Sequence, residues 1–207
     1  YEIATDFLEA ELFELQYAQT ADVMYVAHAN HWPRKLTRFS HTSWTITKPV
    51  FTDGPYLTDN ATAITMQPSA TTGAITITAS SAYFNAQLGP VGTEPGALIS
   101  ITHGGTRGVA QITAFTDTTH VNATVLIAFG AATAQTTWRE GAWSTYRGFP
   151  RALTFFEQRL FFGGSSFQPQ TIWGSATGSY EDMTAGPNAD DALVYTFATN
   201  SMNAIQW

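Results

Sequence analysis

The chain has 207 residues, of which 44% are hydrophobic, 14% aromatic and only 12% charged, a balance that excludes intrinsic disorder. Its longest apolar run, residues 125–129, is far too short to span a membrane, and the absence of cysteine excludes disulfides, thiolate metal sites and cysteine nucleophiles. The net charge of −7 argues against a protein that holds nucleic acid by its phosphates.

Alternating runs of Thr, Val, Ile and aromatic residues, bounded by turn residues, predict β structure almost throughout. One short helical turn is expected at residues 6–15. In the run 74–79, Ile75, Ile77 and Ala79 alternate with threonines, which predicts a sheet with one buried face. The expected strands are 22–28, 34–39, 43–47, 61–67, 74–79, 97–101, 108–115, 121–129, 152–157, 159–163, 171–174 and 193–198.

The chain resembles itself at an offset of 136 residues. The matched positions are Val23–Val26 with Arg159–Phe162, Pro33 with Pro169, Leu36 with Ile172, and Trp44 with Tyr180. Upstream, residues 15–17 match 153–155 with a two-residue adjustment. Each copy reads as a strand, a loop ending in proline, a second strand and an aromatic residue after a polar turn, on the scale of a propeller blade or part of one. Chance similarity between β-rich segments is the alternative, and the shared proline and aromatic residue favour a true repeat.

The composition changes at Asp53-Gly54-Pro55 to a segment rich in Ala, Thr and Gly, and aromatic residues return at Trp138. We therefore predict an all-β fold in which two repeat hairpin units, parts of a propeller-like or platform β domain at residues 1–52 and 139–207, flank an inserted small β-barrel at residues 53–138. Because the chain starts without methionine and stops in an aromatic-rich stretch, we expect it to be a fragment of a longer protein.

Several motifs are distinctive in combination. They are Ala21–His28, Pro33–Arg38, His41–Trp44, Phe51–Tyr56, Leu153–Gly164, Pro169–Ser175 and Tyr180–Met183. Together they resemble the tail nozzle proteins, also called tail tubular protein B, of short-tailed bacteriophages and prophages. The insertion resembles a small β module named after the FCCH domain of the ubiquitin-activating enzyme, a likeness of shape that carries no ubiquitin chemistry.

The resemblance implies a structural virion protein without catalytic residues or cofactors. Such proteins form a ring, usually of six subunits, that closes the distal end of the tail. The implied partners are a tail adaptor protein and tail fibres or spikes, and DNA passes through the lumen without specific binding. The implied location is the virion, assembled in the host cytoplasm, with no membrane insertion by this segment.

Three histidines, His28, His31 and His41, raise the possibility of a metal cluster with HxxH spacing. In a strand and loop, positions i and i+3 do not share a face as they would on a helix, and no nearby carboxylate is placed to orient the rings. Loop histidines are the favoured interpretation, and no metal ligand is assigned.

Glu157 with Asp182 or Asp190 forms a candidate glycosidase pair. Because Glu157 is predicted inside an apolar strand, a structural ion pair with Arg159 or Arg151 is favoured, and no catalytic residue is assigned.

The remaining motifs favour structural roles. The glycine-rich run 104–108 lacks the ending of a phosphate loop, and Ser165-Ser166 lacks the nucleophile-elbow pattern. Asp190-Asp191 lacks the alternating ligands of a calcium loop. Among the six tryptophans, Trp32 beside Pro33 is expected to be the most exposed, whereas Trp44 is expected in the core with Tyr180.

The sequence therefore supports two candidate functions. The first is the tail nozzle, with a neutral or acidic lumen and its arginines in subunit contacts, internal ion pairs or on the outer surface. The alternative is a carbohydrate-binding or carbohydrate-cleaving receptor-recognition tail protein.

Overall fold

The computed structural model describes residues 2–198 and 203–206, and its strands form three antiparallel sheets, which confirms the predicted all-β class. Contacts divide the chain into two compact units. We call Tyr1–Pro55 with Arg147–Trp207 the split unit, and Tyr56–Tyr146 the inserted unit. The predicted insertion, residues 53–138, shares residues 56–138 with the inserted unit. Within the described ranges, none of the helices has the length and apolarity needed to cross a membrane.

The first sheet lies in the split unit and follows a 3₁₀ helix, Glu9–Glu14, where a short helical turn was predicted. Its strands pair antiparallel in chain order: β1 (Gln16–Thr20), β2 (Val23–His28), β3 (His31–Ser40) and β4 (Ser43–Thr47). The loop predicted through Pro33 is wrong, because β3 already begins at His31. Pro33 is tolerated in the strand because the register shifts between Val26 and His28, so no ladder bond needs its missing N–H.

The third sheet also lies in the split unit and has the same order of four antiparallel strands. They are β11 (Ala152–Phe156), β12 (Arg159–Gly163), β13 (Thr171–Gly174) and β14 (Leu193–Thr196). Glu157 and Gln158 form the two-residue turn between β11 and β12, with φ of 47° and 60°. Two positive φ values are the signature of a type I′ hairpin turn.

The repeat offset of 136 residues places β1 on β11 residue for residue, and the first five residues of β2 on β12. The pair Gln16–Ala27 becomes Ala152–Gly163, and the first hairpins therefore have the same register. The two-residue adjustment predicted upstream is wrong, because Tyr17 corresponds to Leu153 and not to Phe155.

Beyond the first hairpin the offset fails. Tyr25 pairs with Lys35, whereas Phe161 pairs with Gly174, three residues further along than the offset requires. The longer connection between β12 and β13, residues 164–170, accounts for the shift. The other matches are therefore wrong as structural equivalences: Pro33 with Pro169, Leu36 with Ile172, and Trp44 in β4 with Tyr180 between β13 and β14.

The core of the split unit is built from aromatic rings. Trp32 lies 5.8 Å from Phe51 and 6.2 Å from Phe149 between ring centroids, and Phe51 lies 5.7 Å from Phe162. All four rings are buried. Since they come from both halves of the split unit, they join sequence segments that are more than a hundred residues apart.

The inserted unit contains one six-stranded sheet in the order β10-β7-β8-β9-β6-β5, curled into a half-barrel. Its strands are β5 (Met66–Pro68), β6 (Ala74–Ala79), β7 (Leu98–His103), β8 (Thr106–Phe115), β9 (His120–Ile127) and β10 (Trp138–Glu140). A short 3₁₀ helix, Ala86–Leu88, lies between β6 and β7. The predicted alternation in β6 is confirmed, because Ile75, Ile77 and Ala79 are buried and the threonines between them are not.

Candidate functional site

The densest group of chemically active side chains surrounds the turn between β2 and β3. His28 and His31 occupy directly paired positions at the ends of these strands, and their ring centroids are 5.3 Å apart. The argument that their spacing keeps them on different faces is wrong, because a two-residue turn places them opposite each other. His28 is 1% exposed and His31 is half-buried.

Two carboxylates that the sequence analysis did not assign lie against these rings. Glu11 Oε2 accepts a hydrogen bond from His31 Nε2 at 2.8 Å, and Glu14 Oε2 accepts one from His28 Nε2 at 3.3 Å. The sequence feature that could have identified this pair is the three-residue spacing between Glu11 and Glu14. Side chains at i and i+3 eclipse in a 3₁₀ helix, so Glu11 and Glu14 share the face of Glu9–Glu14 that meets the hairpin.

The Glu11 carboxylate is held from several sides. The backbone N–H of Leu8 donates to Oε2 at 2.9 Å, and the Asn30 side chain donates to Oε1 at 3.3 Å. The Leu8 hydrogen bond is the largest cause that lowers the pKa of Glu11 to about 2, and the contacts with His31 and Asn30 add to it. The cluster therefore contains an ionised carboxylate at neutral pH.

His41 does not join this cluster. It is exposed and lies 3.4 Å from the Arg38 guanidinium, between Nδ1 and Nη2. It lines a groove of about 500 Å³ together with Trp44 and Ile46. The three-histidine metal cluster weighed from the sequence thus separates into a histidine pair and a distant third ring.

A second polar network surrounds Tyr25, which is 3% exposed. Its hydroxyl donates to Glu181 Oε1 at 2.7 Å, and Lys35 Nζ contacts the same oxygen at 2.5 Å. Burial raises the pKa of Tyr25, and the Glu181 carboxylate raises it further. The network ties the first sheet to the connection between β13 and β14.

The candidate glycosidase carboxylates have structural positions. Glu157 is exposed in the β11–β12 turn, so its predicted place inside a strand is wrong. Asp182 Oδ1 accepts from Thr184 N at 2.9 Å, and Asp191 Oδ2 accepts from Asn188 N at 2.8 Å. These bonds hold turns in residues 175–192, and Asp190 lies in the same segment.

Arg159 does not form the ion pair with Glu157 that the sequence favoured. It is 7% exposed, and its guanidinium donates to the carbonyl oxygens of Ser175 at 2.5 Å, Asp191 at 2.7 Å and Ala189 at 2.5 Å. Its role is to satisfy backbone acceptors of the long connection.

The tryptophans largely build the core. Trp32, predicted to be exposed, is 6% exposed, and its Nε1 donates to Pro49 O at 3.1 Å. Among the tryptophans that the structure describes, only Trp44 is not buried, so its predicted core role is wrong. Trp207 lies outside the described residues.

The remaining motifs occupy turns, as predicted. Gly104 and Gly105, with φ of 55° and 89°, form the two-residue turn between β7 and β8. Ser165 is buried, and its hydroxyl accepts from Gln168 N at 3.0 Å. Neither segment has the arrangement of a phosphate loop or of an activated serine.

The cluster of Glu11, His28 and His31 is therefore the strongest candidate site, with Glu14 behind it. Comparison with known proteins adds no assignment: no protein-family model matches the chain, and no curated protein matches its sequence.

Proposed function

We propose that this chain is a structural segment of a bacteriophage tail nozzle, a subunit of the ring that closes the distal tail and conducts DNA during ejection. The observation that carries the proposal is the pair of four-stranded antiparallel meanders whose first hairpins coincide at an offset of 136 residues. Four antiparallel strands make one blade of a β-propeller. Together with the motifs that resemble the nozzle family, the pair of meanders supports a propeller-like platform interrupted by a β insertion.

Exposed apolar side chains support assembly into a ring. Fourteen large apolar side chains are exposed in the described residues, and eleven of them belong to the split unit. The most exposed are Phe13 at 98%, Val50 at 78% and Tyr17 at 69%. Exposed apolar side chains can be buried in contacts between proteins, and we assign those of the split unit to neighbouring subunits and to the adaptor or fibre proteins.

The charge distribution supports passage of DNA without capture. Three arginines are neutralised within the chain: Arg34 by Asp6 at 3.0 Å, Arg38 by Asp22 at 3.0 Å and Arg139 by Asp59 at 3.6 Å. A paired arginine offers less to a phosphate, and the net charge is −7. A neutral or acidic wall repels the duplex and keeps it near the axis of the lumen.

The oligomeric state tests the proposal most directly. We expect negative-stain electron microscopy of the full-length protein to show rings, usually of six subunits, and glycan arrays to show no binding. A monomer or trimer with measurable saccharide affinity would contradict the nozzle and favour the receptor-recognition alternative.

The lumen is tested separately by titrating duplex DNA onto the assembled ring at low salt. We expect no sub-micromolar binding, because each phosphate neutralised by Lys or Arg would add salt-dependent affinity. Tight binding, or a channel lined with unpaired arginines, would contradict the proposed passage of DNA while leaving the ring itself intact.

A further inference from the structure

The 3₁₀ helix Glu9–Glu14 is attached to the first sheet by polar contacts and not by apolar burial. None of its residues is buried, and its apolar side chains face outward, with Leu12 51% and Phe13 98% exposed. Glu11 and Glu14 instead direct their carboxylates at His28 and His31. The position of this segment therefore depends on the chemistry of the histidine cluster.

The side chains of Glu11, His28 and His31 are arranged around one point. The ligand atoms of Glu11, His28 and His31 all lie within 4.8 Å of one another. Glu11 Oε2 is 2.8 Å from His31 Nε2, and Glu11 Oε1 is 3.9 Å from His28 Nδ1. Ligands of a tetrahedral zinc ion are about 3.3 Å apart when the bonds are about 2.0–2.1 Å, so the observed separations lie on both sides of that value.

We propose that Glu11, His28 and His31 bind a divalent transition-metal ion, with Zn²⁺ as the preferred metal, and that this ion fixes the Glu9–Glu14 segment to the β2–β3 hairpin. Two imidazoles and one carboxylate are a ligand set that zinc uses in proteins, with a fourth position left for water or another ligand. Mg²⁺ and Ca²⁺ prefer sites made of oxygen atoms and are not expected here.

A metal-binding histidine usually donates its second ring N–H to a carboxylate or a carbonyl oxygen, and Glu14 is this outer support for His28. His28 Nε2 donates to Glu14 Oε2, which places the proton on Nε2 and leaves Nδ1, 3.9 Å from Glu11 Oε1, as the nitrogen that can bind a metal. Carboxylate, histidine and metal in this order orient the ring and raise its basicity. The Nδ1 lone pair accepts a 3.2 Å hydrogen bond from Asn30 N, which the metal would replace.

The surroundings also fit a cation. The Phe7 ring packs edge-on against His31, with centroids 5.2 Å apart, and covers one side of the cluster. Among the neighbouring guanidinium groups, Arg34 pairs with Asp6 at 3.0 Å and lies over Phe7, and Arg151 lines a cavity together with Glu14 and His28. The Glu11 and Glu14 carboxylates place two acidic groups beside the two imidazole rings, a combination that suits a divalent cation.

The test uses the 207-residue chain after removal of metals with a chelator. We expect calorimetry to show saturable binding of one Zn²⁺, and Co²⁺ to give the visible absorption of a tetrahedral site with nitrogen and oxygen ligands. Glu11→Gln and His31→Gln should each weaken Zn²⁺ binding at least tenfold. Glu14→Gln, which removes only the outer support, should weaken it by about 10- to 100-fold.

Two histidine variants serve as matched controls. His120→Gln removes a half-buried histidine that pairs with Asp117 at 3.0 Å, and His41→Gln removes the distant third ring. Both should bind Zn²⁺ like the unmodified chain. Near-UV circular dichroism checks that each variant is folded, and the Co²⁺ spectrum of the unmodified chain decides the question if a cluster variant is not.

The proposal is overturned if the unmodified chain shows no saturable Zn²⁺ binding. It is also overturned if the control substitutions weaken binding as much as His31→Gln does, or if bound Co²⁺ gives only the weak spectrum of an octahedral ion. None of these results bears on ring assembly, so the metal site and the nozzle proposal fail independently.

Discussion

The first and third sheets of the split unit begin with the same hairpin and then diverge, and side chains at matched positions explain the divergence. Val23 begins β2 and is half-buried, whereas its counterpart Arg159 begins β12 and is buried with its guanidinium on three carbonyl oxygens. Two residues connect β3 to β4, but residues 175–192 connect β13 to β14. The long connection begins at the buried residue Ser175, and its carbonyl oxygen needs a donor that the Arg159 side chain supplies.

The partner of the central aromatic residue differs as well. In the first sheet Tyr25 pairs with Lys35, whose ammonium lies 6.0 Å from the Tyr25 ring centroid. In the third sheet Phe161 pairs with Gly174, and the ring covers the glycine backbone. One hairpin scaffold thus supports a charged, hydrogen-bonded sheet in one copy and an apolar, glycine-dependent sheet in the other.

The largest expected loss of stability tests which of two neighbouring rings in the third sheet, Phe161 or Phe162, faces the core. Phe162 is 1% exposed, and Phe162→Ala should lower the free energy of unfolding by about 3–5 kcal/mol. The neighbouring Phe161 is half-buried, so Phe161→Ala should cost about 1–2 kcal/mol. Urea unfolding measures both, and equal losses would contradict the assignment of faces.

The second test removes the guanidinium that distinguishes the two sheets. Arg159→Met keeps much of the side-chain volume but leaves the buried Ser175 carbonyl and the half-buried Asp191 carbonyl without this donor, and we expect a loss of about 3 kcal/mol. Arg38→Met, which removes an exposed ion pair with Asp22, is the matched control and should cost about 0–1 kcal/mol. A loss at position 159 no larger than the control would show that water satisfies these carbonyls.

The third test adds a methyl group where the Phe161 ring lies on the strand. A Cβ on residue 174 would lie 2.7 Å from Phe161 Cε1 and 3.1 Å from Leu193 Cγ. Gly174→Ala should therefore destabilise by about 2 kcal/mol. In a Phe161→Ala background the same change should cost clearly less, because the clashing ring is absent and only the 3.1 Å contact with Leu193 remains. Additive effects in this double-mutant cycle would exclude the Phe161 clash as the cause.

The smallest expected loss of stability concerns the hydrogen bond between Tyr25 and Glu181. The first sheet has this bond where the third sheet packs Phe161 on Gly174. Tyr25→Phe removes the bond to Glu181 and should cost about 1–2 kcal/mol at neutral pH. Because the pKa of Tyr25 is raised in the folded protein, the bond contributes fully below the unfolded value of about 10 and is lost as the pH rises further.

The variant and the unmodified chain should therefore approach each other in stability above about pH 10. Urea unfolding at neutral and alkaline pH measures the difference, with Tyr17→Phe, at a 69% exposed position, as the control. A constant difference across this range would show that the Tyr25 hydroxyl does not titrate with unfolding.

Most strands were predictable because their side chains alternate and turn residues bound them. The run 74–79 is an example, since its buried face follows from Ile75 and Ile77 alone. Trp32 was not predictable, because its burial depends on Phe51 and Phe149, which are 19 and 117 residues away. Local sequence predicts which residues form a strand, but long-range packing decides which of them are buried.

The candidate site was predictable only in part. The spacing of His28 and His31 is visible in the sequence, but the two-residue turn that pairs them depends on Pro33 entering β3 at a register shift. Glu11 comes from a helix without buried residues, so no hydrophobic pattern connects it to the hairpin. Such a site becomes visible only in the folded structure, because its residues come from segments that share no hydrophobic periodicity.

The pairing at the ends of the inserted unit has a consequence for the order of folding. Tyr56 bridges to Gly141, and Leu57 N donates to Glu140 O at 2.9 Å, so the two ends of this 91-residue stretch lie side by side once it has folded. Closing an open loop of that length costs about 2–3 kcal/mol more than closing one of a few residues. The least costly route therefore folds the inserted unit first, as it leaves the ribosome, and only then lets β11–β14 join β1–β4.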